Sequence, residues 1–150
     1  IGVSASAGAM AVGAPREKVA LMRRFGEAIG MAFQIQDDIL DYMRTAHTGK
    51  PANNDLREGK LTLPLIYAIT HGSGEENERM RALLLSEEHL SAESVHTLIE
   101  YAKREGGIDY AYETMKRIRN EAVALLEGFP PSETVDALIS ILDYTIEREK

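Results

Sequence analysis

The 150-residue chain contains no cysteine. That absence excludes disulfide frameworks, thiolate metal sites and cysteine nucleophiles, so any chemistry must rest on carboxylates, lysines or hydroxyls. No stretch approaches the roughly 18 to 20 apolar residues of a membrane span, and no charged-then-apolar leader is visible, so a soluble, cytoplasmic protein is expected. Basic tracts are also lacking. Lys and Arg number 17 against 24 Asp and Glu, for a formal charge of −7, which argues against nucleic acid and anionic membrane as partners. Proline is scarce at 5 residues and glycine, at 12, is near ordinary usage, and the 44% hydrophobic, 27% charged balance is that of a globular chain rather than a disordered or fibrous one.

Strand signals are nearly absent, whereas apolar spacings of three and four recur throughout, so the chain reads as all-α. Its length suits a single domain over residues 1–150. The opening IGVSASAGAMAVGA has no capping signal before it and reads as the middle of a helix, from which a fragment of a longer protein is expected. Its small residues would let a neighbouring helix approach closely, and Gly13 would end it. A long helix is expected from about Pro15 to Met43, burying Met22, Phe25, Ile29, Phe33, Leu40 and Met43. Residues 45–60, rich in Gly, Pro and Asn, read as a polar loop of functional length. Shorter helices follow from Pro64 to His71, around Glu75 to Leu85, and from a Ser91 cap to Gly106 and Gly107. Two more run from about Ile108 to Glu127 and from Ser132 to near Glu147. Six or so antiparallel helices with short connections make a bundle.

One region is chemically loaded. On a helix, Gly26, Gly30, Gln34, Asp37, Asp41 and Arg44 fall within a sector of about 80°, with Asp38 on its flank. Aspartate is a poor helix-interior residue, like charges four apart repel, and AIGMAFQIQDDILDYM carries no basic residue to offset them. A bound cation would remove that penalty. Gly26 and Gly30 on the same face supply no side chain, so the face could form a groove in which a ligand approaches the backbone. Oxygen-only ligands suit a hard cation, and Mg²⁺ typically takes one or two protein carboxylates with water and phosphate completing its octahedron. Lys50 and Lys60 in the following loop are point charges suited to that phosphate. Together they describe a metal–diphosphate clamp.

The segment FQIQDDILDY, followed by GKPANNDLREGKLTLPLIYA, resembles the second aspartate-rich region of the trans-polyprenyl diphosphate synthases. The likeness extends through EGGIDYA to the closing DYTIEREK and is closest to long-chain, octaprenyl-type synthases. It implies the C-terminal half of an isoprenoid-synthase helical bundle and a Mg²⁺-dependent prenyltransferase joining isopentenyl diphosphate to an allylic diphosphate. Half a bundle leaves one face of its helices uncovered, so a homo-oligomer, a dimer, is expected. By the same resemblance Asp37 would bind Mg²⁺ directly and Asp38 and Asp41 through waters. Lys50 and Lys60 would grip the allylic diphosphate, and Phe33 and Gln34 would sit by isopentenyl diphosphate. Asp37, Lys50 and Lys60 are thus the expected catalytic residues. The family's first aspartate-rich motif is missing, so the chain alone is expected to be inactive. Asn53 stands where the family usually has a loop glycine, a substitution that asparagine's tolerance of left-handed backbone makes mild.

Three other readings compete. A non-catalytic helical subunit of a two-component prenyl synthase would keep the bundle without needing the metal residues. A terpene cyclase shares fold and metal chemistry but typically carries an N-D-x-x-S-x-x-x-E type motif where this chain has DDILD. Glu93 and His96 form the E-x-x-H spacing of di-iron bundles, which would need a second copy and two more glutamates.

Overall fold

The computed structural model describes residues 1–43, 54–86 and 90–147. Among these there are eight helices and no strand: α1 (Gly2–Ala11), α2 (Arg16–Met43), α3 (Asn54–Arg57), α4 (Leu63–His71), α5 (Gly74–Ser86), α6 (Ala92–Arg104), α7 (Gly107–Leu126) and α8 (Glu133–Glu147). The punctuation follows local chemistry. Gly13, Gly59, Gly74 and Gly106 take positive φ at helix boundaries, where a side chain would be strained. Ser91 Oγ accepts from the Ser94 amide at 3.0 Å, capping α6. Among the described residues no helix is long and apolar enough to cross a membrane.

The residues gather into two compact units, Ile1–Gln36 with Glu113–Lys150, and Asp37–Tyr112. In the first, the small residues of α1 lie directly on α2. A Cβ on Gly26 would stand 2.9 Å from both Gly2 Cα and Ala5 Cβ. Gly26 therefore serves helix packing, and with Gly30 and Gln34 it also lines a cleft beside Ile1 and Gly2. Lys18 Nζ donates to the Gly128 carbonyl and lies 4.4 Å over the Phe129 ring, closing the C-terminus of α7. Arg119 grips Asp143 of α8 with Nε at 2.8 Å and Nη2 at 3.1 Å, a two-point bond that fixes orientation as well as distance.

The second unit is built around α4 and α6. Val95, Leu98, Ile99 and Ala102, spaced three and four apart on α6, share a core with Leu65, Ala68 and Met80. Full burial of a side chain such as Leu65 or Leu98 contributes about 1.5–3 kcal/mol. The end of α4 is tied down through its carbonyls. Ile69 O accepts from Asn77 Nδ2 at 3.2 Å and from Arg81 Nη2 at 2.7 Å, and the buried Tyr101 hydroxyl donates to Asn77 Oδ1 at 2.7 Å. At the other end of α4, Gly107 lets Pro64 approach: a Cβ there would collide with the Pro64 carbonyl oxygen and stand 2.8 Å from its carbon.

Two expectations require correction. The buried stripe of α2 is Phe25, Ala28, Ala32, Gln36, Ile39 and Tyr42, while Phe33 and Met43 are 38% and 57% exposed. The stripe runs through small and polar residues, and the larger hydrophobic side chains drew the sequence reading to the neighbouring face. Within the supposed loop 45–60, Asn54–Arg57 forms α3. Four residues are too few to show periodicity, although Asp55 in the first turn and Arg57 in the last complement the helix dipole and Leu56 is buried in the core. Residues 45–53 of that loop lie outside the described residues.

Candidate functional site

The acidic sequence DDILD occupies the last turns of α2. Asp38 and Asp41 are each only 8% exposed. Asp37 is half-buried, the most open of the three. Their immediate neighbour is Tyr42, 5% exposed, whose hydroxyl oxygen accepts from Thr62 Oγ1 at 3.1 Å and is also hydrogen-bonded by the Leu65 backbone. Burial pushes the Tyr42 phenol up to about 12. The charges of Asp38 and Asp41 add to that rise, opposed by the hydrogen bonds from Thr62 and Leu65. The phenol is therefore neutral at ordinary pH, and the negative field it feels is carboxylate charge.

That field and an all-oxygen donor set fit a hard divalent cation. Among the described residues no group of three or more His, Asp or Glu is gathered tightly enough to enclose a metal by itself. One or two protein carboxylates, with water and phosphate for the rest, is the arrangement Mg²⁺ ordinarily accepts. The Glu93 and His96 pair on α6 likewise has no such group around it among the described residues.

Lys60, in the same unit, is 61% exposed; its Nζ lies 2.7 Å from Glu58 Oε2 and 3.4 Å from Asp55 Oδ1. Hydrogen bonding to Glu58, then to Asp55, raises its pKa, so it remains a full cation. Exposed pairs of this kind hold weakly, so the ammonium is available to a stronger anion such as a phosphate. Lys50 lies outside the described residues. In the first unit, Phe33 and Gln34 are exposed on α2, and Gln34 lines a cleft with Ile1, Gly30 and Met31.

Sequence reasoning passed over Tyr42 and Thr62. A tyrosine after DILD and a threonine two residues before a proline give no sign that they meet, because their pairing across 20 positions belongs to the fold.

Comparison with known proteins is consistent from residue 1 onward. The family description "Polyprenyl synthetase" matches residues 1–102. The chain is 35% identical over 99% of its length to a short chain isoprenyl diphosphate synthase of Methanothermobacter thermautotrophicus, and 34% identical, again over 99%, to heptaprenyl diphosphate synthase component 2 of Geobacillus stearothermophilus. It covers 45% of each, so it spans about half the length of the curated relatives it matches. The crystal structure of a polyprenyl synthase from Caulobacter crescentus CB15, complexed with calcium and isoprenyl diphosphate, superposes with a TM-score of 0.84 at 30% identity, over 98% of this chain and 45% of that one.

Proposed function

Because the chain belongs to the polyprenyl synthetase family, we propose that it supplies the second aspartate-rich half of a prenyltransferase that condenses isopentenyl diphosphate with an allylic diphosphate. The observation that carries this reading is the acidic end of α2: three aspartates within five residues, Asp37 the most open, Asp38 and Asp41 buried beside a neutral phenol. Accessibility favours Asp37 as the direct metal contact, with Asp38 and Asp41 acting through waters. Mg²⁺ held there would supply positive charge to the departing diphosphate. Lys60, released from Glu58 and Asp55, and Lys50 would grip the same diphosphate. Phe33 and Gln34 are assigned to isopentenyl diphosphate on the strength of the family resemblance. We place the protein in the cytoplasm, as one domain, and as a homodimer, for which sedimentation at micromolar concentration is the check.

Thermal unfolding tests the site. Mg²⁺ and inorganic diphosphate added together are expected to raise the midpoint of a single cooperative transition by more than the sum of their separate effects, because each completes the other's coordination. Equal, merely additive shifts would remove the clamp. The likeness to component 2 of a heptaprenyl diphosphate synthase favours one second reading, a subunit that acts only with a different partner chain. It would show as activity that appears on mixing with such a partner and is unaffected by Asp37→Ala.

A further inference from the structure

Building on that reading of the site, we infer that Tyr42 is a positioning residue, whose buried hydroxyl, bonded by Thr62 and by the first turn of α4, holds the last turn of α2 and thereby the carboxylates of Asp38 and Asp41.

Two observations carry it. The first is where the carboxylates sit. The final carbonyls of any helix lack partners within that helix, so its last turn is the part that frays. Asp41 lies on that turn of α2 and Asp38 on the one before it. A metal contact tolerates little displacement, so a site placed there needs an anchor from another element. Tyr42 on that turn reaches one: it shares the core cluster with Leu65 and Ala68 of α4, and its hydroxyl bonds to Thr62 and Leu65.

The second is what Thr62 does with its hydroxyl. Thr62 occupies the N-cap position of α4, with the extended backbone that suits a cap, yet its side chain makes no cap bond to its own helix. A threonine there ordinarily accepts from the amide two or three residues on. Here Thr62 Oγ1 donates instead to Tyr42 Oη at 3.1 Å, and the backbone of Leu65, the third residue of α4, bonds to the same phenol. The oxygen that serves the start of α4 thus comes from the end of α2. One bond cannot be lost without disturbing both helix ends. With Pro64 at the start of α4 and Gly107 admitting its carbonyl, the receiving end is itself fixed.

Hydrogen exchange and ligand titration on the whole 150-residue chain test this, using Tyr42→Phe, Thr62→Val, Thr62→Ser and the Phe/Val double variant. Tyr42→Phe and Thr62→Val are expected to speed exchange at amides 38–43 selectively, leaving α6 and α8 as in the parent. Each is expected to weaken binding of Mg²⁺ with inorganic diphosphate by about 10- to 100-fold, the usual range for groups that orient a metal ligand. Thr62→Ser, which keeps the hydroxyl, is expected to restore both readouts, and the double variant to be no worse than Tyr42→Phe alone. Unchanged exchange at 38–43 overturns the inference whatever the titration shows. So does exchange that quickens evenly over all helices, which would make Tyr42 a core residue only. Failure of the parent chain to bind Mg²⁺ with diphosphate would instead sink the functional reading on which the inference rests, and the exchange pattern separates that failure from a missing tie.

Discussion

Incubated with Mg²⁺, farnesyl diphosphate and labelled isopentenyl diphosphate, the 150-residue chain alone is expected to release no prenyl product. The chain carries one aspartate-rich segment, DDILD, and ionising an allylic diphosphate requires charge stabilisation around the leaving group from more than one side. Even a single electrostatic donor in a preorganised site can be worth about 10² to 10³ in rate, so half a clamp should fall short by many orders of magnitude. Binding is a lesser demand, which one carboxylate helix with its lysines is expected to meet. Extraction and chromatography of the lipid products decide the matter. Long-chain product at an ordinary enzymatic rate would contradict the expectation and would mean that copies of the chain complete one another's sites.

The largest stability loss from a single methyl group is expected at Gly107→Ala. The added Cβ would meet backbone on two sides, the carbonyl of Pro64 and, at 2.9 Å, Ala102 O. Backbone cannot rotate away as a flexible side chain can, so α4 must move from α6 and α7. Overpacking of this kind costs about 1–3 kcal/mol, and a chain of this length loses about 2–4 °C of melting temperature per kcal/mol. Alanine's better helix propensity offsets only part of this. Gly128→Ala is the matched control, since a Cβ there would find Leu21 Cδ1 at 3.5 Å, Lys18 Nζ at 3.6 Å and Leu125 O at 3.8 Å, ordinary contact distances. Calorimetry should show a fall of several degrees for Gly107→Ala and little for Gly128→Ala. Equal effects would mean that the Pro64 contact is not a constraint on the fold.

Much of the architecture was legible because its signals are local. Ser91 caps α6 through a bond to its own helix, and Gly13 and Gly106 sit at positive φ where periodicity stops. The acidic stretch was legible for a different reason: three aspartates in mid-helix, with no basic residue in AIGMAFQIQDDILDYM, contradict what a merely solvated face would use. What stayed hidden depends on meetings between distant elements. The packing of Gly2 and Ala5 of α1 against Gly26 is one such meeting, which nothing in the sequence announces. The buried face of α2 runs through Ala28, Ala32 and Gln36, whose burial is set by neighbours rather than by their own hydrophobicity. Tyr42 and Thr62 are the clearest case, since the ends of α2 and α4 must be brought together before either hydroxyl has a partner. The charge and loop position of Lys60 are visible in the sequence, whereas its pairing with Glu58 and Asp55 adds the competition that a diphosphate must overcome.

The central claim, that the end of α2 binds diphosphate through a divalent cation, is tested most directly by isothermal titration of inorganic diphosphate into the chain with and without Mg²⁺, repeated for Asp37→Ala and Asp38→Ala. Saturable binding that requires Mg²⁺ is expected in the parent. Asp37→Ala should weaken it by more than about 100-fold, beyond the range typical of groups that act only through a ligand, and Asp38→Ala should weaken it less. Binding that is indifferent to Mg²⁺, or that survives Asp37→Ala unchanged, would contradict the account.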